Sequence, residues 1–93
     1  MVVGVMTVQI CMSGIGSLKG KRSIVKSVIE RMRNRFNASV SEIGHHNIKN
    51  SAVIAIAIVS NESGFVDRQL DKILDFLRGD GRFYIGRIER EQF

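Results

Sequence analysis

The chain contains no proline, no tryptophan and one cysteine, and aromatic residues make up only 6% of its 93 residues. The lone Cys11 cannot form an internal disulfide, which favours a reducing compartment. No apolar run approaches the roughly 20 residues that a membrane-spanning helix needs. Val2–Met12 is apolar, but it lacks the basic leader of a secretory signal and alternates as a strand does. These absences predict a cytoplasmic protein with no membrane partner.

A single domain over residues 1–93 is expected, because 44% of the chain is hydrophobic and 25% is charged, as in soluble globular proteins. Hydrophobic periodicity predicts strands over Val2–Met12, Asn37–Gly44, Ser51–Ser60 and Arg82–Arg90. A helix is predicted between the first two strands, capped by Ser17. A second helix, capped by Asn61 or Ser63 and ended by Gly79-Asp80-Gly81, is predicted between the last two.

The order β-α-β-β-α-β in about ninety residues is typical of an α+β ferredoxin-like sandwich. Such a fold has a four-stranded antiparallel sheet with both helices on one face. The bulky registers Met6-Val8-Ile10 and Ile54-Ile56-Ile58 are predicted to face the helices.

Positive charge is concentrated in the first helix. Between Ser17 and Arg35 there are seven cations and one acid, a net charge of +6 in a chain whose total is +5. On a helical wheel, one flank of the apolar stripe carries Arg22, Lys26 and Arg33, and the other carries Lys21, Arg31 and Arg35. A helix with so many cations and a single acid predicts contact with a nucleic-acid backbone. The alternative is a solvated helix face without a partner.

The loop that precedes this helix could hold a small anion. Gly20 falls at the third helical position and is expected to leave the amides of the first turn free, beside Lys19 and Lys21. A P-loop would need Gly at Ile15 and Ser or Thr at Arg22, so the loop is not of that type. The residues predicted to bind nucleic acid or an anion are Ser17, Lys19, Gly20, Lys21, Arg22, Lys26, Arg33 and Arg35.

The outer face of the predicted sheet has no aromatic residues on its central strands, so bases are not expected to stack there. Its side chains are small and apolar, which predicts a homodimer through this face. The predicted dimer face consists of Val3, Val5, Val53, Ala55, Ala57 and Val59. The alternative is a monomer in which the C-terminal segment and Phe93 cover the face.

No catalytic, metal or cofactor site is predicted. His45 and His46 with Glu42 lack the further ligands that a metal needs, and an exposed turn is the expected role. Ser13 and Ser17 lack a His–acid pair, because the histidines are expected at the far end of a hairpin. Arg22 alone resembles the phosphate-binding arginine of acylphosphatases. We therefore expect a protein that is not an enzyme.

Three segments together resemble the YlxP-like family, a small bacterial family of unknown function with a ferredoxin-like fold. They are Ser17-Leu18-Lys19-x-Lys21-Arg22, Arg31-Met32-Arg33-Asn34-Arg35-Phe36-Asn37 and Val59-Ser60-Asn61. The resemblance spans nearly the whole chain and implies a link to translation, because family genes often lie near genes for ribosome maturation. The family has no agreed catalytic residues. It usually has an acid where Gly20 stands and an aromatic near Ile48.

The expected function is therefore that of an accessory factor associated with RNA or the ribosome, which contacts the phosphate backbone through the first helix. The alternative is a ligand-sensing or protein-interaction module that binds a small anion at the loop before that helix.

Overall fold

The computed structural model describes all 93 residues and contains one four-stranded antiparallel sheet, in the order β2-β3-β1-β4. The strands are β1 Val2–Cys11, β2 Ser39–Gly44, β3 Ser51–Ser60 and β4 Tyr84–Gln92, and the helices are α1 Leu18–Arg35 and α2 Ser63–Arg78. This architecture confirms the predicted α+β ferredoxin-like fold. None of its helices is long and apolar enough to cross a membrane.

Several predicted boundaries are wrong: β1 ends at Cys11 and not at Met12, β2 begins at Ser39 and not at Asn37, and β4 ends at Gln92 and not at Arg90. The last strand begins at Tyr84 and not at Arg82, because Asp80 accepts hydrogen bonds from the Arg82 backbone and guanidinium and holds this segment in a turn. The cap of α2 is Glu62, without a side-chain hydrogen bond, and neither Asn61 nor Ser63 fills that position. The Asn61 side chain instead lies 3.5 Å from the Ser60 hydroxyl.

The core lies between the sheet and the two helices. As predicted, the inward register of the central strands is buried, from Met6 to Ile10 on β1 and from Ile54 to Ile58 on β3. The helices add residues at helical spacing to a cluster of 17 buried hydrophobic residues. Each helix therefore has one face committed to the core and another left outside.

α2 approaches β1 closely at Gly4. A Cβ atom at this position would collide with the Val66 side chain, and Leu70 lies close beside it. The missing side chain allows the helix to sit directly on the strand.

Candidate nucleic-acid interface

The first turn of α1 is capped by Ser17, as predicted. Its backbone is extended, and its hydroxyl accepts a hydrogen bond from the Gly20 amide at 3.1 Å. The expectation of free first-turn amides is therefore wrong for Gly20, whose amide already has a partner. A Cβ atom on Gly20 would meet the Ser17 hydroxyl at 3.4 Å and Ile15 at 3.6 Å, which are ordinary contacts. No close approach requires glycine here.

Lys21 is fully buried, so its predicted role as a nucleic-acid or anion contact is wrong. Its ammonium donates to the backbone carbonyl of His45 at 2.6 Å and to that of His46 at 3.3 Å. It also lies 3.2 Å from Glu42 Oε2, which has this ion pair but no hydrogen bond of its own. Lys21 thus holds the turn between β2 and β3 against the start of α1.

The sequence contained a signal for this burial. Lys21 precedes Val25, Val28 and Met32 at the spacing i, i+4, i+7 and i+11, so it lies on the buried stripe of α1. Its carboxylate partner comes from β2 and its carbonyl partners from the turn that follows, all more than twenty residues away. A buried lysine needs such partners, and the fold brings them together.

The loop before α1 is a poorer anion site than the sequence predicted. The Gly20 amide is capped and the Lys21 ammonium is enclosed, so two of the expected donors are already used. Lys19 is exposed and makes no hydrogen bond or ion pair.

Arg22, Lys26 and Arg33 lie together in a groove between α1 and β2, as the helical wheel predicted. The Arg33 guanidinium donates to the Val40 carbonyl at 2.6 Å, which fixes its side chain and leaves its charge uncompensated. The Arg22 guanidinium makes a long, 3.4 Å contact with the Asn47 side chain. Lys26 has no hydrogen-bond partner. The groove therefore presents three positive charges along about 16 Å of helix.

Two acids and a histidine also line this groove. Glu42 is compensated by Lys21, and Glu30 makes no ion pair. His46 adds an imidazole at the same rim. With Glu30 as the one uncompensated acid against three cations, the groove keeps a net positive charge.

Arg35 lies on the other flank of α1, where two cations stack on aromatic rings. Its guanidinium is 5.4 Å from the centre of the Phe76 ring and 5.9 Å from that of Phe36. Arg31 lies 5.1 Å from the Phe76 centre and 3.4 Å from Asp80. These contacts hold the guanidinium groups by cation–π attraction. Arg35, unlike Arg31, has no acidic partner.

Two acids face this flank: Asp80, which pairs with Arg31, and Asp75, which lines the same hollow without an ion pair. The hydrogen bond from Arg82, at 2.6 Å, is the largest cause that holds the pKa of Asp80 below its usual value of 3.8, and burial opposes it. The same bond raises the pKa of Arg82. The contact from Arg31 is a smaller contribution, because the Arg31 side chain is largely exposed.

The predicted dimer face lies on the open side of the sheet, away from both helices. In the register of β1 and β3, Val3 faces Val59 and Val5 faces Ala57. Val59 is 61% exposed, and the other members of the predicted face are half-buried. The whole set is therefore on one surface.

Phe93 does not cover this surface. It exchanges two backbone hydrogen bonds with Val3, at 2.9 and 2.8 Å, and its side chain stays 69% exposed. Because residues paired across antiparallel strands share a face, Phe93 extends the apolar surface beyond Val3.

A polar network at one end of the open face was missed by sequence reasoning. The Arg87 amide donates to Gln9 Oε1 at 3.3 Å, and the Gln9 amide donates to the Ser51 hydroxyl at 3.1 Å. The His45 ring nitrogen Nδ1 lies 2.7 Å from the same hydroxyl. A Cβ atom on Gly86 would meet Gln9 Oε1 at 2.7 Å, so glycine leaves room for this network.

The geometry of His45 also corrects the expectation for its turn. The turn that contains His45 lies next to the start of α1, whereas a distant position was expected. It lies there because Lys21 of α1 donates hydrogen bonds to the carbonyls of the turn. His45 has a positive φ of 59°, which is uncommon for a residue with a side chain. The serine hydroxyl beside the His45 ring belongs to Ser51, which is 7% exposed, and not to Ser13 or Ser17.

The fold and the motifs place this chain in a defined class, the α+β ferredoxin-like proteins with a basic first helix. The chain matches the family described as "Protein of unknown function (DUF503)" over residues 3–90, and it belongs to that family. It is 37% identical over 62 residues to the "Uncharacterized protein YlxP" of Bacillus subtilis (strain 168), a match that covers 67% of each chain. The resemblance to the YlxP-like family is therefore confirmed.

A solved structure with a similar fold is the de novo designed protein Foldit4. The two chains superpose with a TM-score of 0.53 at 15% sequence identity, over 99% of this chain and 94% of that chain. At this identity the likeness shows the fold alone.

Proposed function

We propose that this protein is an accessory factor that binds the phosphate backbone of single-stranded RNA through α1 and catalyses no reaction. Five cations of α1 have no acidic partner anywhere in the chain, and this observation carries the proposal. They are Lys19, Arg22, Lys26, Arg33 and Arg35. Uncompensated charge gathered on one helix attracts a polyanion and releases its counterions on binding.

The open face of the sheet is a poorer surface for RNA than α1. Its central strands carry no aromatic side chain, and Glu89 and Glu91 lie beside them on β4. Carboxylates repel phosphate, and bases have no ring on which to stack. The contact is therefore assigned to the helical side of the molecule. We propose cytoplasmic RNA as the partner, and this includes the RNA of the ribosome.

The test is a pair of charge reversals in the groove between α1 and β2. Arg22→Glu combined with Lys26→Glu changes two exposed side chains that make no ion pair. We expect at least a tenfold loss of affinity for a fluorescently labelled single-stranded RNA, measured by anisotropy at low salt.

The matched control is Arg68→Glu combined with Arg78→Glu, which makes the same charge change on the exposed side of α2. The Arg68 ion pair with Glu62 spans 3.5 Å at an exposed site, so its loss has little effect on stability. An unchanged affinity of the α1 variant, or an equal loss in the α2 variant, would overturn the proposal.

A further inference from the structure

The open face of the sheet combines apolar residues with polar groups that already have partners. Val3, Val59 and Phe93 form an exposed apolar end. At the other end, Gln9 and Ser51 are hydrogen-bonded to their neighbours. Polar groups that are satisfied within the chain are buried in an interface at little cost.

The charges of this face are also close to balance. Arg87 pairs with Glu89 at 2.8 Å, and Glu91 is the remaining acid of the face. A net charge of about −1 creates no strong repulsion between two like surfaces, unlike the +6 segment on the helical side. The face therefore suits another protein surface of low charge and not a polyanion.

The size of the face is sufficient for a dimer. With about 4.8 Å between strands and about 3.3 Å per residue, the 35 residues of the four strands cover about 550 Å² per copy. Two copies would bury about 1,100 Å² in total, which exceeds the roughly 1,000 Å² expected of a biological interface.

We infer that the occupant of this face is a second copy of the same chain, so that two sheets pack face to face in a homodimer. The apolar residues at its centre are Val5 and Ala57, with Val3 and Val59 beside them. In such a pair the two helical layers point outward. With layers about 10 Å apart, the two α1 helices lie about 30 Å from one another.

The test is the mass in solution, measured by sedimentation equilibrium up to about 100 µM. We expect the wild-type chain at twice its 10.4 kDa and Ala57→Glu at a single chain mass, with dimerisation weakened at least tenfold. Val59→Glu places a charge in the proposed interface and should weaken the dimer. Because the Val59 side chain is 61% exposed, the fold of the monomer should be unchanged. Asn34→Glu adds the same charge on α1 and should dimerise like the wild type.

A wild-type mass of one chain at the highest concentration overturns the inference, as does full dimerisation of both face variants. If the wild-type chain is a monomer, the partner that covers the open face of the sheet is a different protein. RNA binding is measured separately with a strand short enough to reach only one α1, and Val59→Glu should bind it like the wild type. The inference and the proposed function can therefore fail independently.

Discussion

The two helices cover the same face of the sheet but use their charges in opposite ways. In α2, Asp67 and Asp71 both pair with Arg90 of β4. In α1, only Lys21 and Arg31 have an acidic partner. Helix α2 therefore uses two of its three acids for ion pairs within the chain, whereas most of the charge of α1 is left for a partner. Both helices bury an apolar stripe in the core, so burial does not explain the difference.

Lys21 gives the largest expected effect, and it separates structural from exposed cations within α1. Lys21→Met removes the ammonium and leaves the Glu42 carboxylate without its cation. We expect the free energy of unfolding to fall by about 2–4 kcal/mol, measured with urea. Lys26→Met, the exposed control, should change it by less than about 0.5 kcal/mol. A fall below about 1 kcal/mol for Lys21→Met would contradict the structural role.

The folded double variant Lys21→Met, Glu42→Gln should bind RNA like the wild type, because it removes the enclosed ammonium together with the carboxylate that the ammonium compensates in the groove. Adding Glu42→Gln to Lys21→Met should recover part of the lost stability, because the unpaired carboxylate is then gone. Weaker RNA binding by the folded variant would show that Lys21 belongs with the exposed cations after all.

Replacing Asp80 should have a smaller effect on stability. This acid is the partner of Arg31, one of the two cations of α1 that have an ion pair. Asp80→Asn should lower the free energy of unfolding by about 1–2 kcal/mol at neutral pH, because charge-assisted hydrogen bonds from Arg82 are weakened. The folded pKa of Asp80 lies below its usual 3.8, so this stabilisation is present above that pH. It is lost as the pH falls through the folded pKa.

The difference between wild type and Asp80→Asn should therefore shrink in urea titrations below about pH 3.8. A difference that stays constant over that range would mean that the Asp80 charge does not contribute. Arg31 and Arg82 lie away from the groove that holds Lys26, so the loss in RNA affinity caused by Arg22→Glu with Lys26→Glu should be the same in the Asp80→Asn background.

The element order and the inward registers of the strands could be predicted from sequence because both depend on local periodicity. Ser17 was recognisable as a cap for the same reason, and so was the common flank of Arg22 and Lys26. The start of β4 was misplaced because the turn before it depends on the Asp80–Arg82 hydrogen bonds. Side-chain partners of this kind leave no periodic pattern.

The misassigned site residues depend on contacts between distant segments. Lys21 looked like a surface cation because its partners come from β2 and the turn after it. The network of Gln9, Ser51 and His45 requires the pairing of β1 with β3, which no local pattern specifies. Sequence reasoning therefore found where charge is concentrated but not which charges the fold encloses.

The most direct test of the role of α1 is the salt dependence of RNA binding. With five phosphate contacts on a single strand, the wild type should show a log–log slope of about −3 to −4. Arg22→Ala combined with Lys26→Ala should make the slope shallower by about 1.4, because two contacts are lost. Arg68→Ala combined with Arg78→Ala on α2 should leave it unchanged. A wild-type slope flatter than about −1, or equal slopes for the two double variants, would contradict the assignment of RNA binding to α1.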